Sequence, residues 1–281
     1  MARIVFAAGA PHAPAIVGLF DKAPDESKMV ITDTYGAISR ELREAHPDVL
    51  IVFANDHLTN NRITFYPDFL IGTGPKHSGP HEWFQEWIGC REYTAKGNPA
   101  IAKALFTGMT RRGVRMSTRE ESLYFDDNIS VPVTMTDLDH TDITLVPVLQ
   151  NCTVPPFPDA ARCFEVGHAL RDFIEKDLPA DLRVGLFGSG GLSHEPGGAK
   201  YYKIDEAFDQ TFLGLCAAAD HTALLRDITV ERMEEAGVGG TAELLSWFPV
   251  MAAIGERRGR TFGYTGWPSF RCGIGGVIWD L

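Results

Sequence analysis

The sequence predicts an α/β fold. Apolar runs of strand length alternate with helical patterns along the chain, and one run, residues 48–54, is apolar almost throughout, as in a strand covered on both faces. The composition agrees: 281 residues with 44% hydrophobic, 22% charged and 10% aromatic is the balance of a globular chain, which excludes disorder and a fibrous repeat.

The elements follow in order. Residues 3–8 read as a first strand. Residues 25–45 read as a helix, with Asp25 as a plausible N-cap and Pro47 ending it. The 48–54 run is the second strand. Asn98 and Pro99 open the clearest helix, because Asn caps, Pro suits the first helical position, and Gly113 follows the Arg111-Arg112 end. Residues 142–149 and 182–187 read as buried strands, with an amphipathic helix over 159–176 between them. The last third is helical over about 204–219 and again from about Thr241, with a short strand near 275–279. No repeat or low-complexity linker divides the chain, so one domain over 1–281 is expected. Residues 74–97 fit no element. They hold Trp83, Phe84, Trp87 and Tyr93, and two readings stand side by side, a loop lining a flat ligand and an Ω-loop packed on its own aromatics.

Charge narrows the partners. Lys plus Arg is 26 against 37 Asp plus Glu, a net charge of −11, and no basic run occurs, so phosphate backbones and anionic lipid should be repelled. Nucleic-acid binding is not expected. No apolar stretch approaches the ~20 residues that span a bilayer. Met1-Ala2-Arg3 runs straight into a short apolar strand and a Pro-rich turn, which is no secretory signal. The five cysteines are scattered without a C-x-x-C, as reduced packing residues would be. A cytoplasmic protein is expected.

Three histidines fall just past predicted strands: His12 after the first, His57 after the second, and His194 after the 182–187 strand and its Gly188-Ser-Gly-Gly-Leu-Ser193 segment. Open parallel sheets bind ligands outside the carboxyl ends of their strands. Imidazoles converging there suit a borderline divalent metal, and two histidines with one carboxylate leave open positions on iron(II). Glu243 is the candidate carboxylate, in the first turn of a predicted helix with Thr241 as a possible cap; an acid placed there to favour the helix dipole is the plainer reading. The glycine-rich 188–193 segment has Ser where a dinucleotide fingerprint needs its third Gly, and it fails the P-loop and nucleophile-elbow patterns too. Its glycines instead let the backbone turn and bring His194 into a crevice.

These residues, taken in order, resemble the class III extradiol ring-cleavage dioxygenases. Pro11-His12, Asn55-Asp56-His57, Gly190-Gly191-Leu192-Ser193-His194 and Ala242-Glu243-Leu244-Leu245-Ser246-Trp247 carry the resemblance, which runs over essentially the whole chain and is nearest to catalytic (β) subunits acting on protocatechuate and to gallate dioxygenases. It implies a three-layer αβα architecture on a mostly parallel central sheet. It implies that His12, His57 and Glu243 hold a non-haem Fe(II), that His194 is the acid/base beside it, and that a small aromatic diol and O2 are the reactants. A zinc-type hydrolase on the same His/His/Glu set is the alternative chemistry.

Two departures from that family pattern matter. Where relatives carry Asp-His before a small residue and Val-Pro, this chain has Asp126-Asp127-Asn128-Ile129-Ser130-Val131-Pro132. A carboxylate at Asp127 would repel a substrate carboxylate, which points to a neutral or nitrogen-bearing diol in place of protocatechuate or gallate. Nor does any segment look like a fused copy of the small lid subunit of the protocatechuate enzyme. Either a small lid subunit exists, or the 74–97 segment and a second protomer close the crevice, and a homo-oligomer is the expected form. Further substrate contacts are placed at Asp127, Tyr264, Ser269, Trp83 and Trp87 from position and residue type, with packing the plainer role for the tryptophans.

Overall fold

The computed structural model describes residues 1–281. β1 (Arg3–Ala10) leads through the short α1 (Ala15–Gly18) into α2 (Asp25–Ala45) and then β2 (Val49–Asn55). β3 (Phe69–Gly72), β4 (Lys76–Gly79), α3 (Glu82–Ile88), β5 (Tyr93–Lys96), α4 (Pro99–Arg111) and β6 (Ser117–Arg119) follow. The middle of the chain supplies α5 (Asp127–Thr136), β7 (Thr144–Gln150), α6 (Ala160–Asp177) and β8 (Arg183–Ser189). The last third holds α7 (Glu206–Ala218), α8 (His221–Asp227), α9 (Val230–Ala236), a 3-10 helix (Thr241–Trp247), α10 (Phe248–Ile254), β9 (Gly259–Thr261) and β10 (Val277–Trp279).

Eight strands form one sheet in the order β6-β3-β7-β2-β8-β1-β10-β9. β7, β2, β8 and β1 are mutually parallel, while β3 runs antiparallel to β7 and β10 runs antiparallel to both β1 and β9. The alternation of β2 explains its apolar run. Val49, Ile51 and Phe53 face one core, built with α4, α6 and α10, and Leu50, Val52 and Ala54 face a second core, built with α2 and α5. Helices therefore cover both faces, and the architecture is a three-layer αβα on a mostly parallel sheet, as the resemblance implies.

The strand order matters more for function than the layers do. β8 lies between β1 and β2, so three adjacent parallel strands end together at Ala10, Asn55 and Ser189. His12, His57 and the loop to His194 leave the sheet at neighbouring points.

Several elements differ from the sequence expectation. Residues 74–97 form no open loop: β4 and β5 pair antiparallel around α3, which ends at Gly89 in the left-handed region at φ 70°. These strands have four residues each and the helix seven, too short for a hydrophobic period to declare itself. The helix expected from Thr241 begins as a 3-10 helix and becomes α-helical only at Phe248. Thr241 does not cap it; its hydroxyl accepts from the His194 backbone N–H at 3.2 Å.

Candidate metal centre

Each proposed ligand is fixed from behind by its own part of the chain. His12 sits two residues past β1, in a turn that Tyr35 of α2 secures by donating to the Pro11 carbonyl. Its Nδ1 lies 3.0 Å from Ser189 Oγ, and that hydroxyl donates its proton to the Asn128 carbonyl at 2.5 Å. Ser189 can therefore only accept from His12, so Nδ1 carries the hydrogen and Nε2 carries the lone pair.

His57 is held the same way by carboxylates. Its backbone N–H donates to Asp126 Oδ2 at 2.9 Å, while its Nδ1 lies 3.1 Å from Asp126 Oδ1 and 3.0 Å from Asp127 Oδ1. An imidazole nitrogen between two acceptors carries its proton there and turns Nε2 outward. Asp126 is placed by capping α5, accepting from Asn128 N–H at 2.9 Å. Asp56 stabilises the turn after His57 by accepting from the backbone N–H groups of Asn60 and Asn61.

Glu243 arrives from the opposite end of the chain. The 3-10 helix docks on the end of β8, with Ser246 Oγ donating to the Ser189 carbonyl at 2.7 Å and the Trp247 indole to the Gly190 carbonyl at 3.2 Å. A Cβ on Gly190 would stand 2.1 Å from the Glu243 carbonyl oxygen, so only glycine permits this approach. The glycine requirement here is room, since neither Gly190 nor Gly191 adopts a positive φ. This refines the expectation that these glycines serve to turn the chain.

The three side chains converge. Glu243 Oε2 lies 3.1 Å from His12 Nε2, and Oε1 lies 2.8 Å from His57 Nε2. The two rings stand edge-on with centroids 5.4 Å apart. Oε2 also accepts from Gly191 N–H at 3.2 Å, and the Asn55 amide stands 3.4 Å from Oε1. Glu243 is 3% exposed. Burial opposes its ionisation, yet His194, His57 and His12 together hold its carboxyl well below the ordinary range. Burial likewise opposes charge on His57, and Asp127, Asp126 and Glu243 hold its pKa well above the usual value.

The donor set fits a metal. With His12 Nδ1 bonded to Ser189 and His57 Nδ1 set against Asp126 and Asp127, both Nε2 atoms face one carboxylate, and His12 Nε2 is buried with no hydrogen-bond partner. A cation between them satisfies all three at once. Ligand atoms of His12, His57 and Asp127 also lie within 4.8 Å of one another, a spacing that could itself hold an ion.

His194 completes the arrangement. Its Nδ1 lies 2.7 Å from the Leu192 carbonyl, which can only accept, so Nε2 is the free nitrogen; it stands 3.7 Å from Glu243 Oε1. Gly191, Gly237 and Gly240 crowd the residue so closely that a Cβ on any of them would fall within 2.6 Å of its atoms. Asp209 steadies the loop by accepting from the Ser193 backbone at 2.7 Å and from its hydroxyl at 2.8 Å.

A cavity of about 400 Å³ opens onto this cluster, and Leu19, Trp87, Phe270, Arg271 and Tyr201 line it together with the site residues. Of the proposed substrate contacts, Asp127 and Trp87 line it, whereas Trp83, Tyr264 and Ser269 do not. Trp83 is 81% exposed, and the Tyr264 hydroxyl is spent on Asp209 Oδ2 at 2.8 Å. Ser269 lies half-buried in a 3-10 turn, Pro268–Phe270. Asp127 also faces a group of the protein: its Oδ1 lies 3.0 Å from His57 Nδ1. His77, in the aromatic segment, is buried and accepts from Leu123 N–H at 3.1 Å, away from the cavity.

The sequence did not single out Ser189, Asp126, Arg271, Tyr201 or Cys272. Ser189 and Asp126 lay inside quoted motifs, and their position at a strand end and at a helix cap was the available signal. For Arg271 and Tyr201, which come from separate loops, no local pattern exists.

A family model described as "Catalytic LigB subunit of aromatic ring-opening dioxygenase" matches residues 6–274. Two similar proteins are named 2,3-dihydroxyphenylpropionate/2,3-dihydroxicinnamic acid 1,2-dioxygenase. The one from Photorhabdus laumondii is 23% identical over 63% of this chain and 52% of its own length, and the one from Rhodococcus globerulus is 26% identical over 70% and 58%. A gallate dioxygenase of Pseudomonas putida is 30% identical over 37% of this chain and 30% of its own. The chain spans about half the length of the curated relatives it matches. The crystal structure of the uncharacterized protein JW3007 from Escherichia coli K12 shares the fold, with TM-score 0.55 at 15% identity, over 98% of this chain and 100% of that one. The hydrolase alternative finds no support among these matches.

Proposed function

The chain belongs to the family of catalytic LigB subunits of aromatic ring-opening dioxygenases, and on that premise we propose that it is an iron(II)-dependent extradiol dioxygenase opening a catechol-type ring with O2. The observation that carries this reading is the pair of histidine Nε2 atoms, from the ends of the two strands that flank β8, meeting the two oxygens of one buried glutamate. His12, His57 and Glu243 would hold the metal. Iron(II) would supply a Lewis-acidic, redox-active centre that brings the two vicinal oxygens of a diol and dioxygen together.

The protein's own residues supply the rest. His194 Nε2, freed by the Nδ1 bond to Leu192, accepts a proton from a substrate hydroxyl and returns it to the product side. Leu19, Trp87 and Phe270 give the aromatic ring an apolar wall and exclude water. Asp126 and Ser189 keep both ligand rings in one tautomer, so the metal-binding nitrogens need no reorganisation. The relatives' names contain vicinal diols bearing a three-carbon acid, and the substrate of this chain is a diol of that general size.

Anaerobic loading with Fe(II), followed by oxygen-uptake measurements on a panel of catechols, tests the assignment. Stoichiometric O2 consumption with a coloured ring-opened product supports it; turnover without O2, or no turnover with any diol, defeats it. The five buried, free cysteines fit a cytoplasmic setting. A second copy of the chain, and no small lid subunit, is the proposed cover of the crevice; activity recovered only after adding another polypeptide would reverse that.

A further inference from the structure

The cavity contains one fixed cation that the ring-opening chemistry does not use. Among the residues lining it, Arg271 is the sole Lys or Arg; the other charged or titratable groups are His12, His57, His194, Asp127, Glu195, Glu243 and, as thiol and phenol, Cys272 and Tyr201. Arg91, Arg112, Arg232 and Arg260 each pair with an acid, but no carboxylate lies within ion-pair distance of Arg271.

Its head is nonetheless held in place. Nη1 donates to the Tyr201 hydroxyl, and the guanidinium carbon lies 4.6 Å from the Tyr201 ring centroid and 5.8 Å from that of Tyr202. Nε is buried with no acceptor. The backbone sits in the left-handed region at φ 62°, a conformation that residues with a Cβ rarely adopt and one that clusters at binding sites. The next residue, Cys272, places its sulfur 3.9 Å from His194 Nδ1, and Arg271, Cys272 and His194 line the same cavity.

The acids that share the cavity face groups other than Arg271. Asp127 lies against His57 Nδ1, Glu243 is the proposed ligand, and Glu195 Oε1 accepts from Lys200 N–H at 3.1 Å. A stacked, partly desolvated guanidinium with unspent donors is costly unless an anion arrives to meet it, and its planar fork suits a carboxylate. We propose that Arg271, steadied by Tyr201, is the specificity-determining residue that recognises a carboxylate carried by the aromatic substrate, on the ring or on a short side chain. This rests on the proposed function for the identity of the ring, and it replaces the neutral or nitrogen-bearing diol that Asp127 suggested from sequence.

Two measurements separate this inference from the ring-opening assignment. The first is calorimetric binding of 3-phenylpropionate and of 3-phenylpropionamide, which lack the diol, to the protein as isolated. The wild type should favour the acid by roughly tenfold to a hundredfold, the value of one charge-assisted contact. Arg271→Met, which keeps the stem and removes the charge, should bring the ratio to about one, with Arg271→Lys between. Thermal melts confirm that each variant is folded. The second is the ratio of kcat/KM for 3-(2,3-dihydroxyphenyl)propionate over its methyl ester in the Fe(II)-loaded enzyme, expected to fall by a similar factor in Arg271→Met. Equal binding of acid and amide by the wild type, or an unchanged ratio in Arg271→Met, overturns the proposal. A retained acid preference with no diol opened supports Arg271 and sinks the dioxygenase reading instead.

Discussion

Ser189 Oγ stands between His12 Nδ1, at 3.0 Å, and the Asn128 carbonyl, at 2.5 Å, and its single proton is committed to the carbonyl. One hydroxyl thereby decides which nitrogen of His12 faces Glu243. Such supporting hydrogen bonds are worth about tenfold to a hundredfold in metal affinity.

Ser189→Ala should therefore weaken metal binding by about tenfold to a hundredfold while leaving all three ligands present. Competition titration with a chromophoric chelator reads this directly. An unchanged affinity would mean that the ring is oriented by something other than the hydroxyl.

The ligands and the acid/base should separate cleanly by metal content. His12→Ala, His57→Ala and Glu243→Ala are expected to lose both bound metal and turnover. His194→Ala is expected to retain the metal and lose most turnover, by about 10²–10⁴-fold. Elemental analysis beside a kinetic assay distinguishes the two classes; wild-type metal in the three ligand variants would refute the ligand set.

Glycine position should matter by its surroundings. Gly190→Ala drives a methyl to 2.1 Å from the Glu243 carbonyl oxygen, a backbone atom that cannot yield, and should destabilise by about 1–3 kcal/mol. Gly36, inside the 21-residue α2, is open: a methyl added there would meet no atom within 4 Å, so Gly36→Ala should stabilise by about 0.5–1 kcal/mol. Chemical denaturation of both variants gives the comparison, and equal midpoints would contradict it.

Asp209 should make stability fall as pH rises. Burial raises its carboxyl to about 6, against the lowering effect of its bonds to Ser193 and Tyr264. A folded pKa above the unfolded value of about 3.9 means the folded state binds more protons, so its contribution is fully present below about pH 4 and is lost as pH passes about 6. The loss amounts to about 3 kcal/mol. Relative to Asp209→Asn, the wild type should become steadily less stable over that window; parallel pH curves for the two proteins would count against it.

Legibility in the sequence followed length and locality. Asp25–Ala45 was readable because 21 positions repeat one apolar face before Pro47, although the cap position is Pro24 and Asp25, expected as the N-cap, is the first helical residue. The four-residue strands β4 and β5 were not, since so short a run cannot show a period, and β3 depends on an antiparallel partner, β7, far away in sequence. In the site, His12, His57 and His194 could be found because each follows a strand with a turn signal. The convergence of Glu243 rested on resemblance, because nothing local says that a 3-10 helix after residue 240 docks on the end of β8. Asp127 was found and does line the cavity, but its second neighbour, the His57 ring 70 positions earlier, was not visible in the sequence.

The sheet order has a thermodynamic consequence. Since the carboxylate of Glu243 meets imidazoles that follow β1 and β2, an ion seated among them ties the first strand to the last third of the chain. Ion binding is then linked to the unfolding equilibrium of nearly the whole polypeptide, and the melting temperature should climb with the logarithm of free ion concentration, by about 2.7 kcal/mol of added stability at about a hundred times the dissociation constant. Loss of the ion would loosen amino- and carboxy-terminal regions together, a pattern that hydrogen exchange would display as one cooperative unit.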